Sequence, residues 1–167
     1  MRRKIILHII EKEPGIGFNE IARQAQLSNG VVSHYILQLL KDKEIVKSEG
    51  ARAKYFHHKI SKDDRNVIII LRNDTNYKII KFLFKMRVPV TADEITKAIK
   101  KSRPTVSVNL KKLEKNELIG RKFLNQNKKL TADVGFYILN DGFMRKIFQS
   151  MSNSKRWTID QLFVLLI

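Results

Sequence analysis

Eleven basic side chains, Lys97, Lys100, Lys101, Arg103, Lys111, Lys112, Lys115, Arg121, Lys122, Lys128 and Lys129, stand within 33 residues that hold two acids, Glu114 and Glu117. This stretch supplies a net +9 of the chain's formal +17. Ammonium and guanidinium groups at that density hold rows of anionic oxygens and gain by displacing a polyanion's counterions. The excess implies a polyanionic partner, nucleic acid or an anionic membrane surface, and says nothing about fold.

Other chemistries find little support. There is no cysteine among the 167 residues. Disulfide scaffolds, thiolate metal sites and cysteine nucleophiles are therefore excluded. Four histidines invite a metal reading: His8, His34, His57 and His58. His8 lies in an apolar helical run, and His57 and His58, as neighbours in a strand, should point to opposite faces. No carboxylate cluster completes a site at ligand spacing, so no metal and no cofactor is expected. No glycine-rich phosphate loop or nucleophile elbow occurs, and an enzyme is not expected. Asp63 and Asp64, in the polar stretch 61–66, read as a solvated helix cap.

The elements that must position the basic run emerge from an internal repeat. At an offset of 74, residues 4–46 align with 78–120 without a gap, and eleven of the 43 pairs are identical. Many fall on apolar anchors at helical spacing. Two copies are too few for a solenoid, so the repeat predicts two tandem domains. In each copy a first apolar helix (about 3–12 and 75–86) is followed by a turn, Pro14–Gly17 or Val88–Val90. The second helix opens at Asn19 in copy one. In copy two it opens with Thr91-Ala92-Asp93-Glu94, a capping box. Ser28 and Ser102 are expected N-caps of a third helix, with Pro104 harmless in its first turn. Val32, Ile36 and Leu39, matched by Val106, Leu110 and Leu113, form its anchor stripe. Two β-prone stretches follow around a polar tip: 45–48 and 54–58 in copy one, 118–124 and 130–139 in copy two. Three helices and a hairpin make a winged helix-turn-helix.

Leu27-Ser28-Asn29-Gly30-Val31-Val32-Ser33-His34-Tyr35 and the run from Ser102-Arg103-Pro104-Thr105 to Leu113 resemble the recognition-helix signature of MarR/ArsR-type winged-helix regulators. The tandem arrangement is similar to archaeal two-domain regulators of that class. The resemblance covers roughly 3–58 and 75–139 and implies binding of double-stranded DNA, with dimerisation through terminal helices. One departure stands out in copy one: an extra residue lies between Leu39 and Ile45, where a glycine is common.

For DNA binding, polar groups must face away from the anchor stripe, with basic groups flanking them. In copy two the expected set is Ser102, Arg103, Thr105 and Ser107 in the early turns. Lys111, Lys112 and Lys115 follow on the outward face, with Lys122, Lys128 and Lys129 in the wing. In copy one it is Ser28, Asn29, Ser33, His34 and Gln38, with Arg52 and Lys54 in the wing. Copy one's helix is nearly neutral and carries Leu37 where copy two has Lys111. It reads either as a second base-reading helix or as a protein interface.

The expected fold class is α+β, mainly α: two tandem winged helix-turn-helix domains plus a C-terminal helical segment. The expected boundaries are 1–60, a linker at 61–74, 75–140, and a tail at 141–167. The apolar end, Trp157 to Ile167, suggests a homodimer interface or packing over the second domain. No membrane span and no signal peptide are read from the sequence, since the apolar run after Lys4 is short and stops at Glu11. A cytoplasmic, nucleoid-associated protein is expected, with no effector identifiable. An architectural chromatin-type protein and a winged-helix interaction module are the alternatives to a regulator.

Overall fold

The computed structural model describes residues 1–50, 52–124 and 134–151. Their elements run α1 (Arg2–Lys12), β1 (Ile16–Gly17), α2 (Phe18–Ala25), α3 (Asn29–Lys41), β2 (Ile45–Lys47) and β3 (Lys54–His57). After these come α4 (Lys62–Leu71), α5 (Asp74–Met86), β4 (Val90–Thr91), α6 (Ala92–Ile99), α7 (Arg103–Lys115), β5 (Ile119–Phe123), β6 (Val134–Ile138) and α8 (Asp141–Met151). The fold is α+β, mainly α. Among the described residues the chain divides into two compact units, one of residues 1–69 with 146–151, the other of residues 70–145.

In the first unit α1, α2 and α3 enclose one core, in which Ile6, Ile9, Ile10, Ile21, Val32, Ile36, Leu39 and Ile45 are buried. The sheet order is β1-β3-β2, antiparallel throughout, with Ile16 opposite Tyr55 and Val46 opposite Phe56. The second unit repeats this plan with a sheet of order β4-β6-β5. Its buried set, Ile80, Leu83, Ile95, Val106, Leu110, Leu113 and Ile119, falls 74 residues after first-unit core positions. The sequence reading took Pro14–Gly17 and Val88–Val90 as turns. Pro14 and Gly15 do turn, but Ile16–Gly17 and Val90–Thr91 are two-residue strands that close each hairpin into a three-stranded sheet.

The repeat extends to backbone conformation. Gln26 and Lys43 in the first unit, and Lys100 and Glu117 in the second, adopt left-handed φ of 53°, 57°, 53° and 55°. They end the second and third helices at equivalent points, where glycine has no steric cost. The region between Leu39 and Ile45, which lacks the glycine common there, thus turns through Lys43 itself.

Helix starts follow chemistry that differs between copies. Thr91 and Glu94 form the expected box: the Thr91 amide donates to the Glu94 carboxylate at 2.7 Å, and the Glu94 amide to the Thr91 hydroxyl at 3.3 Å. Ser102 accepts from the Thr105 amide at 3.4 Å. Ser28 occupies the same place, but its hydroxyl makes no cap bond. Thr105 offers the Ser102 hydroxyl a hydroxyl partner, and the matching residue, Val31, cannot.

Asp64 departs from the solvated cap expected of it. Ser61 does the capping, accepting from the Asp64 amide at 3.1 Å. The Asp64 carboxylate is buried and accepts from Lys146 Nζ of α8 at 2.8 Å. No described helix is long and apolar enough to cross a membrane.

Candidate nucleic-acid interface

Burial of Val106, Leu110 and Leu113 fixes the rotation of α7 about its axis. At 100° per residue the opposite face is Pro104, Val108, Lys111 and Lys115, with Ser107 and Lys112 at its margins. All six are exposed. The three lysines stand together on the side that the core does not use. Val108 lies at the centre of this face, 67% exposed. Sequence reasoning passed over it because it sought polar groups, although a helical wheel places it opposite the anchors.

The early-turn residues are less free than their types suggest. Arg103 is ion-paired with Asp93 of α6. The Thr105 side chain is half-buried, its hydroxyl 2.7 Å from that of Ser102. Asn109 turns back on its own helix, donating to the Thr105 carbonyl at 2.8 Å. Ser107 remains exposed.

In β5, strand alternation sends successive side chains to opposite faces. Arg121 turns toward α7 and pairs with Glu114 at 3.0 Å. Lys122 takes the other face, which it shares with Tyr137 across the hairpin. There the Tyr137 ring presses on the Gly120 backbone: a Cβ on Gly120 would sit 2.7 Å from the ring. Lys122 and Tyr137 line a groove of about 600 Å³ with Phe84, Arg87, Asp141 and Arg145. Arg121 and Lys122 therefore do not act on one surface. Lys128 and Lys129 lie outside the described residues.

In the first unit, Asn29, Ser33 and His34 are exposed on α3. Gln38 is half-buried, its amide nitrogen 3.1 Å from His34 Nε2. Leu37 is 64% exposed on this outward side. The acids that make this stretch neutral are engaged, since Arg3 of α1 donates to both Asp42 and Glu44 at 2.7 Å. The hydrogen bond to Glu44 is the main cause that raises the Arg3 pKa. In the wing Arg52 is exposed and Lys54 half-buried, with Lys54 Nζ beside Gly17.

The histidine pair also departs from expectation. The rings of His57 and His58 lie 4.4 Å apart, on the same side, because β3 ends at His57 and the alternation stops there. His57 Nε2 is 3.4 Å from Glu11, and His58 Nδ1 is 3.0 Å from the Glu44 carbonyl.

Two family models match this chain. One described as an N-terminal HTH domain covers residues 1–68. One described as bacterial regulatory protein, arsR family, covers residues 73–120. The chain is a tandem of two helix-turn-helix domains. The arsR-family match spans α5 to the start of β5, and so includes α6 and α7. No curated protein matches the chain. Among solved structures, the DIP2311 protein of Corynebacterium diphtheriae is 13% identical, with a TM-score of 0.29. That match covers 83% of the tandem helix-turn-helix chain and 26% of the other, so this chain spans about a quarter of that protein's length.

Proposed function

We propose that the chain is a transcriptional regulator that binds double-stranded DNA through α7 and, more weakly, through α3. The observation that carries this reading is the outward face of α7, where Lys111, Lys112 and Lys115 are all exposed opposite a fully anchored stripe. A helix-turn-helix places this face in the major groove, and lysines on its later turns are spaced for phosphates. Arg103 exchanges Asp93 for a phosphate when DNA arrives, and Ser107 is free to meet base edges. In the first unit Ser33, His34 and Gln38 would do the reading and Arg52 would hold backbone. Homodimerisation through the tail after Met151 and a cytoplasmic, nucleoid-associated location belong to the same proposal. Light scattering before and after deletion of residues 157–167 tests the dimer, and an unchanged mass removes it.

The deciding experiment is duplex binding across a salt series, with an Arg103/Lys111/Lys112→Glu variant beside the wild type. A steep loss of affinity with salt in the wild type, and weak binding by the variant, supports the DNA reading. Equal, weak binding by both refutes it. A second reading, an interaction module, is favoured by Leu37 alone, since an apolar side chain 64% exposed on α3 suits a protein partner.

A further inference from the structure

The DNA reading leaves Val108 unexplained. A β-branched side chain at a solvent-facing helix position loses on both counts, being a poorer helix former than lysine and leaving its methyls in water. Yet Val108 stands near the centre of the outward face, 67% exposed, with Lys111 and Lys112 one turn later on either side of its line. One turn earlier on the same stripe is Pro104, also exposed and without an amide hydrogen. The early half of the outward face is therefore apolar along its midline, and the later half is cationic. Charge complementarity commits the flanks to phosphate. Between two rows of phosphates, what a hydrocarbon midline meets is the floor of the major groove.

That floor offers one apolar group. Thymine carries a C5-methyl there, and the other groups on the base edges are hydrogen-bond donors and acceptors. Valine in a helix holds essentially one χ1 rotamer, so its two methyls are presented at fixed positions and lose little entropy on contact. We infer that Val108 is a specificity-determining residue that selects duplexes by contact with the 5-methyl group of thymine. The inference rests on the DNA reading and gives it a content that charge cannot, since lysines on phosphates tolerate any sequence.

The test starts from the duplex that the full chain prefers after selection from a random pool. Each thymine is replaced singly by deoxyuridine, which removes the methyl and leaves the hydrogen-bonding edge intact. At one or two positions the replacement should weaken binding about fourfold, the worth of one buried methyl. Val108→Ala should lose that discrimination while keeping its salt slope. Alanine is the better helix former, so the variant folds. Uridine duplexes bound within about 1.5-fold of the thymine parent, with salt-dependent binding intact, would overturn this inference alone. So would a uridine penalty that persists in Val108→Ala. Absence of salt-dependent duplex binding would sink the DNA reading with it.

Discussion

The two repeats share their interior and differ on their surfaces. Val32, Ile36 and Leu39 are buried in one as Val106, Leu110 and Leu113 are in the other. Outside the core, equivalence fails even between identical residues: Ile5 of α1 is 40% exposed, and Ile79, its match in α5, is fully buried. Arg3, which clamps Asp42 and Glu44, is matched by Tyr77, and the two acids by Asn116 and Leu118. The third helix of the first unit carries one charged side chain, Lys41, whereas the second leaves three lysines of that helix facing solvent. Burial constrains anchors to a few residue types at fixed spacing. An outward face has no such constraint, so one fold can carry a nearly uncharged third helix in one copy and a lysine-bearing one in the other.

Charge reversal would break this asymmetry most strongly. Arg103/Lys111/Lys112→Glu should flatten the plot of log affinity against log salt by roughly three units or more, about one per lost phosphate contact. The same exchange at Asn29, Leu37 and Gln38 should flatten it by less, and an equal effect would mean that both helices bear phosphate alike. Next in size is the shared interior. Leu39→Ala and Leu113→Ala should each lose about 2–5 kcal/mol of stability in urea denaturation, because both side chains are fully enclosed. A loss confined to one of them would show that the cores are not equivalent. Leu37→Lys should steepen the salt dependence by about one unit if α3 lies near phosphate, and should leave it unchanged if α3 serves a protein partner.

The smallest effect concerns His57. Its burial, with the nearby His58, lowers its pKa below the ordinary 6.5, against the opposing pull of Glu11. Below 6.5 the unfolded chain takes up the proton before the folded one does. Stability should therefore fall as pH drops through about 6.5 and level off below the folded value. His57→Gln should shallow that slope in pH-dependent melts of the first unit. The second unit has no matching histidine pair.

Periodicity made the helices legible, since three or four apolar anchors per element suffice to set a phase. Strands β1 and β4 were not, because two residues cannot show alternation and exist as strands only through β3 and β6. Asp64 read as polar and therefore solvated; its partner, Lys146, lies 82 residues away. Strand parity separates Arg121 from Lys122, and it was available from the sequence once the hairpin was placed. Ser28 stands at the N-cap position its type suggests, but its hydroxyl makes no cap bond, although Val31 carries the backbone amide that such a bond would use. Val108 was hidden by an assumption about chemistry, since an apolar residue on a cationic face did not fit the search for hydrogen-bonding groups.

The left-handed residues at the helix ends carry a consequence for evolution. Gln26, Lys43, Lys100 and Glu117 each hold a conformation that costs a side-chain-bearing residue about 1 kcal/mol relative to glycine. Two of the four are lysines, and Lys100 belongs to the basic run. At that position thermal robustness and charge pull in opposite directions: glycine would toughen the domain and remove a cation. A lineage pressed toward heat could accept glycine at Gln26 and Glu117 without surrendering positive charge, but at Lys100 it would exchange grip for endurance.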